Sequence, residues 1–526
     1  MKKTYIIILL IGLFSFSCSD FLEEAPRSEL DVDRDFQVSA HAYSAVNALY
    51  RTGASQLYDG GSYSGAPAML GNYMSGFFDN QYKGQEVHVQ HAQQLTLNGD
   101  NLAGYLGDRW NDLYRGISRA NNAIKNIPTT PGLTETEVNR LSAEAKFFRA
   151  MNYYYLVRMF GPVPKVTEPY SSLENLYVER SSVAEIYALI EEDLRFAVDQ
   201  GELPNMAMGN NGGRITQTTA ETLLADVYLT MSGFPLQADK YAAAATAAKN
   251  VINSGVHSLI QHERDGEGNL IADNSAYNKI RKGDNLPEEY IYYREYMVGI
   301  ATSTYTAWTL PVSMTQYSAY AVTNSAYQPR PTFLEGYDAD EDLRIQEKQY
   351  YHSSLTLEEG EVVEFAITPY LWQDETAAFE TASSGKDVVI YGYADVLLIA
   401  AEAITMSEGV VTPEAVDYLA QVRGRAYWQQ DIEDIKAELT ALSPEAFVEE
   451  VWKERYRELV FEFRLWSDMV RTRKFPETLN GDINFVDLIG HTNSWGKTIT
   501  ENNLILPIPE TERQRNPSLG EQNPGY

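Results

Sequence analysis

The chain is predicted to be mainly α-helical, a tetratricopeptide-like helical scaffold carrying long irregular, loop-rich insertions. Three observations predict this. Apolar residues recur at spacings of three and four in segments that open on capping residues and close on Gly or Pro, as amphipathic helices do. Several such segments form helix, short turn, helix pairs with the length and small residues of a helical repeat. Two stretches, about 55–107 and about 255–392, show little helical period, and connections that long tend to carry function.

In chain order, helical spacing covers about 31–51 and 108–127, the second stopped by Pro128. The next segment is stronger: Leu141, Ala145, Phe148, Tyr155 and Met159 share one stripe, Phe147, Met151 and Tyr154 an adjacent one, and Gly161-Pro162 ends the run. Two stripes predict burial on two sides. Ser182-Val183-Ala184-Glu185 is a capping box opening a helix to about Gln200, and Thr218-Thr219-Ala220-Glu221 reads as another. An alanine-rich helix follows Gly233 and Pro235 and runs to Ser254-Gly255. A similar pair occupies 395–407 and 413–425, as expected of a solenoid. Ser443-Pro444-Glu445 opens a long helix in which Val448, Trp452, Tyr456, Leu459, Phe463 and Trp466 form a core stripe. The charges among them, Glu454, Arg455, Glu458, Glu462 and Arg464, read as structural pairs.

Lys2 and Lys3 precede an apolar run from Tyr5 to Phe16, and after Ser17 comes Cys18, the only cysteine of 526 residues. That pattern predicts a secretory signal over 1–17 and lipidation of Cys18, with no disulfide in the mature chain. Asp and Glu total 73 against 42 Lys and Arg, a net charge of −31, which disfavours nucleic acid as a partner. Tyrosines number 36 against 19 phenylalanines, predicting many rings at surfaces or grooves. His88 and His91 lack a zinc-motif context, and Asp338-Ala339-Asp340-Glu341-Asp342 lacks the glycine and terminal glutamate of a calcium loop. No cofactor is expected, a calcium ion held by scattered oxygens being left open. Neither serine of Gly60-Gly61-Ser62-Tyr63-Ser64-Gly65 forms a nucleophile elbow, and no carboxylate pair stands out for glycoside hydrolysis.

Several motifs in order resemble the SusD/RagB family of surface lipoproteins, which work beside TonB-dependent outer-membrane transporters in glycan-utilising bacteria. They are Cys18 to Pro26, Ile117 to Asn122 around Asn121, Glu144 to Ala150 running into Phe160-Gly161-Pro162-Val163-Pro164, Tyr391 to Ala403, Glu454 to Glu462, Leu506-Pro507-Ile508-Pro509 and the terminal Gln522-Asn523-Pro524-Gly525-Tyr526. Asp342-Leu343-Arg344 resembles the family's Asp-x-Arg element, an internal ion pair. One departure is Phe463-Arg464-Leu465-Trp466, where similar proteins tend to have a glycine before Arg-Trp. The resemblance implies an N-terminal helical region at 18–260 and a C-terminal region at 261–526 packed as one body. It also implies glycan capture at the outer membrane without catalysis, beside a SusC-like transporter.

Ligand contacts are argued from chemistry. Sugars offer C–H faces to aromatic rings and hydroxyl edges to amides and carboxylates. Tyr73, Phe77, Phe78, Asp79, Asn80 and Tyr82 form one candidate cluster, and Tyr305, Trp308, Tyr317 and Tyr320 the other. The second lies in Met297–Leu334, which has no Asp or Glu and one charge, Arg330; that composition suits a neutral, hydroxyl-rich ligand. Trp308 with Tyr73 or Phe78 are the expected stacking faces, and Asp79 and Asn80 the polar contacts. Trp110, Trp452 and Trp466 read as core, while Trp372 and Trp495 fit either role. Peptide capture and a purely protein-binding scaffold are the alternatives.

Overall fold

The computed structural model describes residues 36–59, 65–170, 176–283, 286–357 and 360–526; the signal segment and Cys18 lie outside them. Helix α1 is Ser39–Asn47 and passes into a 3-10 turn, Ala48–Arg51. The long helices are α2 (Ala103–Asn126), α3 (Glu135–Phe160), α4 (Val183–Asp199), α5 (Gln217–Ser232) and α6 (Tyr241–Asn253). After the insertion come α7 (Tyr393–Glu408), α8 (Pro413–Ala426), α9 (Ile432–Thr440), α10 (Pro444–Glu458) and α11 (Leu465–Thr472). From α2 to α6 each helix packs on the next, and α7 packs on α6. The solenoid therefore resumes after the irregular stretch, as if the insertion had been looped out of a stack.

Local chemistry accounts for most helix ends. Ser182 and Glu185 make the expected reciprocal box, and Thr134 with Glu137 makes another at the start of α3. Gly161, at φ +71°, ends α3. The box expected at Thr218 is displaced: Thr216 is the cap, paired with Thr219, and Thr218 and Glu221 lie within the buried helix. The helix expected to continue through Phe463 and Trp466 is broken. After Glu458 the chain makes a 3-10 turn, Phe463 adopts φ +60°, and α11 begins at Leu465. Phe463 thus holds a left-handed conformation that glycine adopts at no steric cost, while its ring packs against Tyr327 at 5.4 Å and Trp372 at 5.7 Å.

Among the described residues the strands form five two-stranded antiparallel pairs. They are β1 (Phe78–Asp79) with β5 (Gln328–Pro329), β2 (Val163–Pro164) with β3 (Arg180–Ser181), β4 (Tyr290–Arg294) with β8 (Val388–Gly392), β6 (Tyr351–Thr356) with β7 (Val362–Pro369), and β9 (Lys474–Leu479) with β10 (Asp482–Asp487). One apolar cluster runs from Phe36 to Leu519.

The charged motif residues fasten this core. Arg149 grips Asp193 at 2.7 Å and donates to Asn121 at 2.9 Å, tying α3 to α4 and α2. Arg344, fully buried, pairs with Asp342, Glu454 and Glu458 at 2.7–2.8 Å. Glu458 also meets Arg425 at 2.6 Å, and Arg455 meets Asp395 at 2.7 Å. Asn523 donates to the carbonyls of Phe160 and Leu506, so the terminal motif closes over the end of α3. The expectation for tyrosine is corrected: ten of the twelve largest fully buried side chains are tyrosines. Many bury a ring while the hydroxyl reaches a carbonyl or carboxylate, as Tyr327 does at Val460 and Tyr391 at Asp226.

Candidate functional site

The short helix Leu70–Ser75 ends at Gly76, whose φ of +88° turns the chain into β1. There Phe78 pairs with Pro329 and Asp79 with Gln328, and Arg330 N–H donates to the Phe77 carbonyl at 2.9 Å. The two candidate segments are therefore joined by backbone bonds. Their rings are buried at that joint. Phe78 stacks on Tyr327 with centroids 4.1 Å apart, and Tyr327 N–H donates to the Tyr73 hydroxyl at 3.2 Å. Phe77 packs on Phe475 at 5.3 Å, and Tyr305 packs on Trp308 and Trp372, each at 4.9 Å.

This corrects the expected stacking faces: Tyr73, Phe77, Phe78, Tyr305 and Trp308 are at most 3 % exposed. Each ring gains more contact from neighbouring rings than a loop position on the surface would give, so none presents a face to a ligand. Asn80 is also fully buried, and its amide oxygen accepts from Tyr82 N–H at 2.8 Å, shaping the turn. The expected role of Asn80 as a polar contact is corrected accordingly. Trp110 and Trp372 are core, whereas Trp452 and Trp466 are half-buried.

Asp79 and Tyr82 lie beside this aromatic joint, whereas Tyr317 and Tyr320 lie on the turn and loop after Val312, which Ser318 Oγ and Ala319 N–H tie to the Ala378 carbonyl. Tyr82 is half-buried and Tyr317 is 36 % exposed. The Tyr320 hydroxyl is buried with no hydrogen-bond partner among the described residues, and burial pushes its pKa up to about 12. Asp79 accepts from Lys83 Nζ at 2.8 Å and from Gln93 Nε2 at 3.0 Å. Ser325 donates to exposed Gln81 at 3.3 Å and accepts from Val312 N–H at 3.0 Å, linking the first loop to the turn that carries Tyr317.

A third segment, in which the sequence left Trp495 open between core and ligand contact, completes this face. Asn493 donates to the Gln93 carbonyl at 3.2 Å and Ser494 bonds the Gly76 carbonyl, so loop 493–497 sits on the turn before β1. It brings half-buried Trp495 next to two cations: Lys83 Nζ lies 4.3 Å and the Arg330 guanidinium carbon 4.1 Å from the indole centroid. Trp495, Lys83 and Gln81 gave no sequence signal beyond residue type, since their proximity depends on a pairing across some 400 positions. Arg330 did give one, as the only charge in an acid-free stretch.

Two cavities lie elsewhere. One, of about 340 Å³, is walled mainly by apolar side chains including Leu57, Met74, Met159 and Phe463. The other, of about 420 Å³, lies between Trp110, Tyr114 and the exposed Tyr170 and Tyr177. His88 stacks on Tyr105 at 4.0 Å, and burial lowers its pKa to about 4. Glu462, whose pKa burial and the neighbouring Asp395 raise to about 8, is sealed in the core and lines neither cavity.

Comparison with known proteins agrees with this architecture. Residues 20–229 match a family model described as starch-binding, associating with outer membrane, and residues 367–526 match the SusD family model. SusD-like protein P2 of Formosa agariphila is 27 % identical over the full length of both chains. A SusD superfamily protein from Parabacteroides distasonis is 32 % identical, superposes with a TM-score of 0.80, and is matched over 93 % of this chain and 99 % of its own. A laminarin-binding SusD-like protein, 23 % identical, shares the fold with a TM-score of 0.68 over 93 % of this chain and all of its own. By sequence motifs, helical stack and full-length similarity, the chain belongs to the SusD/RagB family.

Proposed function

We propose that this protein is a non-catalytic glycan-binding lipoprotein of the outer membrane, held by a lipid on Cys18, which captures oligosaccharide or polysaccharide and passes it to a SusC-like TonB-dependent transporter. Family membership supports the class of ligand, as do the matched model's starch-binding description and a laminarin-binding protein of the same fold. The observation that carries the reading is the convergence of loops 79–83, 312–330 and 493–497 on one face, with Tyr82 and Tyr317 as accessible rings and Gln81 as an exposed amide. Rings of this kind stack on sugar C–H patches while amides bond hydroxyls, with no group that needs to change protonation.

The test is affinity electrophoresis of residues 19–526 against a polysaccharide panel, followed by calorimetry on any ligand found. Tyr82→Ala combined with Tyr317→Ala should weaken binding by roughly tenfold or more, each ring being worth about 0.5–1.5 kcal/mol, with the melting temperature nearly unchanged. Undiminished binding by that variant would remove these rings from the site. No shortening of the bound glycan is expected on prolonged incubation, and Cys18→Ala should release the protein from membranes and from co-purification with the transporter.

A further inference from the structure

Arg330 is the single charge of its segment. Among the described residues no carboxylate pairs with its guanidinium, and its Nε is buried without a hydrogen-bond partner. Lys83, on the same indole, differs: Asp79 holds it at 2.8 Å and cancels its charge locally. Within Met297–Leu334, a segment that contains no acid in a chain whose net charge is −31, Arg330 is thus a positive charge with no ion-pair partner among the described residues. An acidic neighbour would neutralise it; the sequence supplies none there.

We infer that this face selects acidic glycans, with Arg330, held over the Trp495 ring, pairing with a uronate carboxylate or a sulfate ester of the sugar chain. The inference rests on the glycan-capture reading and narrows its ligand. A guanidinium stacked on an indole keeps the N–H donors at its edge available, and those donors match the two oxygens of a carboxylate or sulfate. A neutral sugar would leave the partly desolvated charge unpaired, which costs binding energy. The acidic remainder of the protein opposes polyanions only weakly at this distance, since fields decay over about 8 Å at physiological ionic strength.

The experiment uses matched polymers that differ only in charge, titrated calorimetrically into residues 19–526: polygalacturonate against its methyl ester, and a sulfated galactan against its desulfated form. The acidic member of one pair should bind roughly tenfold or more tightly than its neutral counterpart, and its affinity should fall between about 50 and about 500 mM salt. Arg330→Gln, checked for an unchanged melting temperature, should bring the two members of that pair to parity. The pair that responds distinguishes carboxylate from sulfate. Equal binding within both pairs, preference for a neutral polymer, or a preference that persists in Arg330→Gln would overturn the inference while leaving glycan capture standing. Binding to no polysaccharide of either charge would overturn both.

Discussion

Glu462 is an acid kept protonated by its surroundings. Burial and the nearby Asp395 raise its pKa to about 8, and its Oε2 has no hydrogen-bond partner among the described residues. The folded chain therefore retains a proton that the unfolded chain releases near its ordinary value of 4.5. Unfolding free energy should then fall as pH rises between those limits, by up to about 1.4 kcal/mol per pH unit. Buried His88, His257 and His352, with pKa values lowered by burial to about 4, 4 and 3, give the opposite slope below their ordinary 6.5. The signature of Glu462 is thus cleanest from pH 6.5 to 8. Denaturant unfolding across that range should show a decline in the wild type that Glu462→Gln flattens; equal slopes in both would refute the assignment. Trp308 gives a second prediction at this scale. At 3 % exposure it is a core ring, so Trp308→Ala should cost about 3–5 kcal/mol, seen as a lower melting temperature. Ligand affinity measured on the folded fraction should be retained.

At the scale of elements, the proposed site depends on a clamp of three segments, and Gly76 is its tightest point. A Cβ there would lie 2.9 Å from the Asn493 Cβ and 3.0 Å from the Ser494 nitrogen, on a backbone at φ +88°. Gly76→Ala should therefore push loop 493–497 off its seat. Hydrogen exchange should rise over 491–498 and glycan affinity should fall, with the helical melt shifted by only a few degrees; unchanged exchange would show that the loop is held by other contacts. Much at this scale was legible in the sequence. Capping at Ser182 and Ser443, the stripes of α3, and the stop at Gly161 depend on neighbours a few positions away. The break at Phe463 was not legible as a break, because helical spacing continues across it while the backbone passes through a 3-10 turn and a left-handed residue. Nor was the depth of Tyr73, Phe78, Tyr305 and Trp308. Aromatic residues in a loop have the same composition whether they face a ligand or one another, and the choice is made by the pairing of β1 with β5.

The molecule as a whole is a helical stack fixed by buried ion pairs, with the proposed site drawn from the two insertions and the C-terminal loop 493–497. The family-like motifs around Arg149, Asp342, Asp395 and Glu454 all serve that stack: they join α3 to α4, and α10 to α7, α8 and the turn at Arg344. Removing one partner of such a buried pair costs about 3–5 kcal/mol, so these residues identify the fold without reporting the ligand. The proposed ligand contacts come instead from Gln81, Tyr82, Tyr317, Arg330 and Trp495, drawn from segments whose contact is visible only in three dimensions. The most direct test is a crystal structure of residues 19–526 soaked with an oligosaccharide from the best-binding polymer. Sugar density against Tyr82, Arg330 and Trp495 is the predicted result. Density in the groove between Trp110 and Tyr177 instead, with this face empty at saturating ligand, would contradict the account.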